Sequence, residues 1–470
     1  MIRKTSTSAI AGTAVLALTL AACSSDDGNG GAGDDSTQDG GAVTLTLVTN
    51  AISGGKNAAE ADWIESWLIP EFEAAMAEEG QEVEVVFEAQ GVDDEDYKTK
   101  IALDLQSGGG ADIIGMDGIW VGEFAEAGYI EPLEEVGGSA VAEWEGWEQI
   151  PEAVQNALAF EGERYGVPQG ADGRVLFYNK ELFAEAGLPE DWEPTGWEDI
   201  LEAARALKQI DGVIPIQLNA GTAMGEATTM QGVLPMLVGT GAEVWADDTW
   251  LGGTEELGEV LDLYSTIYVD EELGDPILQQ EAAGRDTSFS LFAEGQIGIL
   301  LEGDYFWRAV VHPEVGTAPM ENRDEVVGYT RIPAQEPGAG INGQDYVSMS
   351  GGTGRVLNPS SENPELAWEL LAFMNSAEAF EARAEGTINI TPREDVNATL
   401  LEGEEMLTYV SDEVLPITAY RPGLAAYPEV SLALQEATAA VVGGTSVEDA
   451  LDAYGQTVAG IVGDENVDNG

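Results

Sequence analysis

Strands alternating with helices over the first third of the chain predict an α/β protein built on a mainly parallel sheet. Two further observations set its surroundings. An apolar leader ends at the only cysteine, Cys23, and 87 acidic against 18 basic residues leave a net charge of −69 on 470 residues. Hydrophobic residues make up 44% of the chain, which is ordinary for a globular core, and the length suits two or three domains.

The leader comes first. Arg3 and Lys4 precede an almost uncharged run, Ala9 to Ala22, rich in Ala, Leu and Val, and the small residues Ala21 and Ala22 stand before Cys23. A basic start, a short apolar run and a small-residue cleavage site make a secretory signal peptide. The run is too short to span a bilayer, which takes about 20 apolar residues. Leu20-Ala21-Ala22-Cys23 also resembles a bacterial lipobox, which implies that Cys23 is lipidated on its sulfur and becomes the mature N-terminus. Acyl chains contribute about 0.8 kcal/mol per buried CH₂, so they would hold a domain at the membrane face outside the cytoplasm. Residues 1–22 are therefore expected to be the signal and 23–42 a flexible tether, because Ser24 to Gly41 has no apolar residue larger than Ala from which to build a core.

The elements follow in order. Val43, Leu45 and Leu47 alternate with Thr44 and Thr46, which predicts a strand over 42–48. Residues 57–79 read as a helix with the stripe Ile64, Leu68, Phe72 and Met76, kinked at Pro70 and ended by Gly80. Val83, Val85 and Phe87 mark a second strand; 94–107 carry Ile101 and Leu105 on one helical face; Asp112 to Met116 is a short buried strand. Later helices announce their starts. Thr195 and Glu198, and Thr445 and Glu448, have capping-box spacing, and Asn363-Pro364 sets a cap before a first-turn proline.

The charge excludes a nucleic-acid partner, since phosphates and this surface repel each other. No Cys-x-x-Cys, His-Glu-x-x-His, phosphate-binding loop or EF-hand loop is present, so no metal or cofactor is expected. The one histidine, His312, stands before Pro313 and reads as a surface or turn residue, and no nucleophile elbow accompanies it. With 87 acids, a pair of carboxylates suited to glycoside hydrolysis carries no diagnostic weight. Of eleven tryptophans, Trp120, Trp245, Trp250 and Trp307 sit in polar or glycine-containing segments, where an aromatic face beside carboxylates suits a sugar ring.

Several segments resemble the extracellular solute-binding proteins of bacterial ABC sugar importers, the group that includes the maltose-binding proteins. They are "YKTKIALDLQSGGGADIIGMDGIWVGEFAEAGYIEPLEE", "RYGVPQGADGRVLFYNKELFAEAGLPEDWEPTGWEDILEAARALK", "SFSLFAEGQIGILLEGDYFW", "NPELAWELLAFMNS" and "RPGLAAYPEVSLALQEATAAVV", in that order from about residue 43 to the end. An inserted Gly196 departs from the usual "PTW" form. The resemblance implies a two-lobed, periplasmic-binding-protein-like α/β fold of type II, with discontinuous lobes joined by crossover strands: 43–155 with 298–345 as the first lobe, 156–297 with 346–470 as the second. It implies a monomer that captures a mono- to oligosaccharide between the lobes, without catalysis, and delivers it to membrane permease subunits. Alternatives are an exported glycoside hydrolase and a carrier of a non-sugar solute such as a peptide or polyamine.

In that fold the loops at the strand ends facing the gap touch the ligand. Four are expected here: 50–56 with Ser53 and Lys56, 117–120 with Asp117 and Trp120, 169–174 with Gln169, Asp172 and Arg174, and 302–307 with Glu302, Asp304 and Trp307. Trp245, Tyr346 and Arg421 are expected to reach in from the second lobe.

Overall fold

The computed structural model describes residues 42–384 and 388–470; the signal, Cys23 and nearly all of the tether lie outside the described residues. The strands that frame it are, in chain order, β1 (Val43–Thr49), β2 (Val83–Ala89), β3 (Ile113–Asp117), β4 (Gly166–Pro168), β5 (Arg174–Asn179), β6 (Ile214–Gln217), β7 (Ile297–Gly303), β8 (Val327–Thr330), β9 (Ile332–Pro333), β10 (Tyr346–Met349), β11 (Thr353–Leu357) and β12 (Thr418–Ala419).

They form two principal sheets, ordered β2-β1-β3-β11-β4 and β8-β5-β7-β6, with a small sheet β9-β10-β12 between. In the first sheet β1 is parallel to β2 and β3, while β11 runs antiparallel to β3 and β4. In the second, β7 is antiparallel to β5 and parallel to β6. Both sheets are thus mixed, because the crossovers send strands back against the parallel set. The chain passes between the lobes at 169–173, at 350–352 and again through 417–424.

The predicted first-lobe elements form where expected, and their faces explain why. Ile64, Leu68, Phe72 and Met76 are all buried against the first sheet. Pro70 does not break this helix: a wide turn, Ile64–Leu68, joins Ala58–Trp63 to Ile69–Glu78 and absorbs the missing N–H. Gly80, at φ +83°, ends it in the left-handed region. The capping boxes shift by one residue. Gly196 occupies the cap position of helix Trp197–Leu207, and the Asp199 carboxylate, not Glu198, reaches back to the Thr195 N–H at 2.6 Å. Ser446, not Thr445, caps helix Val447–Val462 by accepting from the Asp449 N–H at 3.1 Å. His312 holds a turn, its Nδ1 accepting from the Glu314 N–H at 3.2 Å.

The expected lobe boundaries need correction. Residues 298–345 do not return to the first lobe, because β7 pairs with β5 and β6 and β8 pairs with β5. The strand that does return is β11. The stretch 156–168 also stays with the first lobe, since β4 pairs with β11. Helices Pro364–Met374 and Ala377–Arg383 pack with the first lobe, and Tyr427–Val442 and Val447–Val462 with the second. Residues 394–414 touch both: Tyr409 packs on Tyr329 of β8 at 5.3 Å and its hydroxyl accepts from the Arg331 N–H.

Candidate functional site

The crossovers show which sheet ends face each other. β1 and β3 finish at Thr49 and Asp117, and the antiparallel β11 starts at Thr353, paired with Asp117. In the second sheet β7 finishes at Gly303, opposite Arg174, where β5 begins. Because 169–173 joins these ends, the loops after β1, β3, β6 and β7 meet across one gap.

The first-lobe wall surrounds a cavity of about 550 Å³. At its rim, Lys56 Nζ donates to Asp94 Oδ1 at 2.7 Å, and Asn50 Nδ2 donates to the same oxygen at 2.9 Å. Deeper in, the guanidinium of Arg355, only 1% exposed, donates to Gln169 Oε1 and to the Glu60 carboxylate. Burial pulls the Arg355 pKa down to about 10, Glu60 opposing and Arg383 adding to the fall. Its Nε is buried without a partner among the described residues. Asp117 caps the short turn Gly118–Trp120 by accepting from the Ile119 N–H at 3.2 Å. Burial raises its carboxyl above the usual range; Arg421 and the backbone bond pull the other way, while Asp94 and Glu226 add to the rise.

The second-lobe wall is built from residues that sequence reasoning missed. Glu226 accepts from Arg421 Nη1 and from the Tyr427 hydroxyl, each at 3.1 Å, and from the Ser431 hydroxyl. Also in the second lobe, Glu302 is 1% exposed and fully engaged. Arg285 Nε and Nη2 donate to its two oxygens at 3.0 and 2.7 Å, and Asn219 Nδ2 and the Tyr305 hydroxyl each donate at 3.0 Å. The Arg285 guanidinium also lies over the Tyr305 ring at 5.1 Å. Each wall therefore presents carboxylates and guanidiniums already fixed by one another, the arrangement that accepts and donates to adjacent hydroxyls without reorganising.

Of the expected site residues, Lys56, Asp117, Trp120 and Gln169 line the first wall, and Arg421 pairs with Glu226 on the second. The others fall elsewhere. Ser53 is exposed and bonds the Asp62 carboxylate. Asp172 and Arg174 fasten the crossovers: Asp172 Oδ1 accepts from Arg174 Nη1 and the Gly351 N–H, each at 2.7 Å. Glu302 is the buried anchor for Arg285 rather than a free acceptor. Asp304 is 1% exposed and held by Arg308 Nε at 2.9 Å. Trp307 does not face the gap; Arg323 lies 3.9 Å over its ring and Tyr329 packs edge-on at 5.8 Å. Trp250 is core. Tyr346 lies under Arg331 at 4.0 Å in the sheet between the lobes. Trp245 lines a separate cavity.

Asp117 yields a test of this electrostatic picture. A carboxyl whose folded pKa is raised stabilises the fold below its unfolded value, and that stability is lost as pH rises through the folded value. Asp117→Asn keeps the cap and removes the buried charge. The ligand-free variant is expected to melt higher than the wild type at about pH 7, with the gain vanishing by about pH 4. Scanning calorimetry at the two pH values checks this; a lower melting point at neutral pH counts against it.

Comparison with known proteins agrees with this geometry. The family model for the bacterial extracellular solute-binding protein matches residues 57–379, more than half of the chain. A putative binding protein of Brucella abortus (strain 2308) is 23% identical over 355 residues, 75% of this chain and 79% of that relative. The arabinooligosaccharide-binding protein of Halalkalibacterium halodurans is 26% identical over 299 residues, 59% of this chain and 62% of that one. Among solved structures, the cyclic alpha-maltosyl-1,6-maltose binding protein from Arthrobacter globiformis shares the fold with a TM-score of 0.69 at 22% identity, covering 90% of this chain and 100% of its own. The chain belongs to the bacterial extracellular solute-binding protein family.

Proposed function

We propose that this protein captures a carbohydrate, from a single sugar to an oligosaccharide, in the interlobe cleft and delivers it unchanged to the permease subunits of an ABC importer. The observation that carries the reading is the pair of facing walls, Lys56, Asp94, Asp117 and Arg355 on one and Glu226 and Arg421 on the other, whose charged groups are already oriented for hydroxyls. The ligands named for its relatives, an arabinooligosaccharide and a cyclic maltosyl-maltose, support that class. A thermal-shift screen of the protein against pentoses, hexoses, polyols and their short oligomers tests it. A ligand at 100 times its Kd adds about 2.7 kcal/mol of stability. A screen in which no carbohydrate raises the melting temperature, while a peptide or polyamine does, overturns the reading.

The same reading places the protein outside the cytoplasm, tethered through lipidated Cys23. Its support is the unique cysteine behind Leu20-Ala21-Ala22. Cys23→Ala is expected to release the protein to the medium or leave an uncleaved precursor, seen by fractionation and mass spectrometry. Membrane retention of correctly processed variant would argue against the anchor.

A further inference from the structure

A second cavity, of about 320 Å³, opens beside the 417–424 crossover; it shares no lining residue with the first-lobe wall of the cleft and meets the second wall only at Arg421. The crossover backbone separates the two: Gly423 is pressed against the first lobe, its carbonyl accepting from the Glu123 N–H at 2.7 Å. A side chain there would collide, since an added Cβ would stand 2.8 Å from the Gly118 carbonyl oxygen.

The lining has two unlike faces. On one, Gln344 Oε1 and Thr418 Oγ1 are buried with no hydrogen-bond partner among the described residues, while the Tyr420 hydroxyl stands toward Ser350. An unpartnered buried polar atom costs about 1–3 kcal/mol, so two at one cavity are unusual unless something completes them. On the other face, Phe160 of the first lobe and Trp245 of the second stack at 6.3 Å with their planes 24° apart. Glu243, an exposed residue, lines the mouth of the cavity. Water alone would satisfy the oxygens but gains nothing from the aromatic pair. A ring with an apolar C–H face and hydroxyls along its edge suits both faces. The volume lies at the lower end of small-molecule sites, about 300–1,000 Å³, which limits the occupant to roughly one ring.

We propose that this cavity is a second binding site, separate from the cleft, for a single sugar ring or a polyol of similar size. Because its walls come from both lobes, its occupant also favours one interlobe arrangement over others.

The test reads the two sites separately in the intact protein. Labelling with 5-fluorotryptophan gives each of the eleven tryptophans a fluorine signal. Trp245→Phe and Trp120→Phe assign the two that matter, one for this cavity and one for the cleft wall. The protein is titrated with D-glucose, D-galactose, L-arabinose, D-xylose and D-mannitol. The Trp245 signal is expected to shift saturably with at least one of them, on a curve distinct from that of Trp120. Gln344→Leu is expected to weaken the Trp245 curve by about tenfold and leave the Trp120 curve in place. A Trp245 signal that none of the five moves, that moves only in step with Trp120, or that ignores Gln344→Leu overturns the proposal. A Trp120 curve obtained in any of these cases leaves the cleft reading standing.

Discussion

Arg285→Ala is expected to destabilise the protein by about 3–5 kcal/mol, the cost of leaving a buried charge without its partner. Glu302 is the penultimate residue of an all-buried strand, Ile297–Gly303, and is 1% exposed. Two of its four donors come from the Arg285 guanidinium; the neutral Asn219 amide and Tyr305 hydroxyl that remain cannot offset a full negative charge. Arg285 is itself partly solvated, so its own removal releases a group that water can receive. The loss therefore belongs mainly to the stranded carboxylate, and a second change isolates it. Arg285→Ala combined with Glu302→Gln keeps an acceptor for Asn219 and Tyr305 but buries no charge, and it should recover more than half of the stability. Urea unfolding of the two variants decides: equal losses in both would assign the effect to packing of the Arg285 stem over Tyr305.

The same ion pair shows where the sequence was readable and where it was not. A single glutamate inside "IGILLEG" announces that a buried carboxylate needs a cation, yet nothing local selects Arg285 from the 18 basic residues. Local patterns served well wherever one face of an element meets a core: the 43–49 strand, the stripe from Ile64 to Met76 and the first-turn Pro364 all sit as their spacing requires, although the Asn363 side chain makes no cap bond. Sheet membership was a different matter. Strand β7 is apolar on both faces, so its pattern fits either sheet, and only pairing with β5, more than a hundred residues earlier, settles the choice. Trp307 was expected at the gap and is not there for a geometric reason. Beyond β7 the chain enters the wide turn Phe306–Val310, which carries Phe306 and Trp307 into the core and leaves Tyr305 beside Glu302. Glu226 lies in "GTAMGEATTM", where no period exists to read, and its partners Tyr427 and Ser431 arrive from a helix some 200 residues later.

Arg421→Met is expected to weaken ligand binding by about a hundredfold. Arg421 reaches the gap from the last crossover, pairs with Glu226 at 3.1 Å and is the main attraction opposing the rise in the Asp117 carboxyl. Its removal acts twice. A charge-assisted hydrogen bond contributes about 1.5–3 kcal/mol, roughly a factor of 10 to 150 in affinity. Glu226 on the other wall also raises the cost of ionising Asp117 once the cation between them is gone, and closing the lobes on a ligand brings no relief. Methionine preserves most of the apolar stem, so packing against Tyr427 should survive and the melting point of the free protein should change less than the affinity. Arg331→Met provides the control: that guanidinium lies over Tyr346 and pairs with Glu413 at 3.1 Å, away from both walls, and its loss should leave affinity unchanged. Calorimetric titration of both variants with the best carbohydrate from the screen reads the difference. Wild-type affinity in Arg421→Met would mean that the ligand does not lie between Asp117 and Glu226.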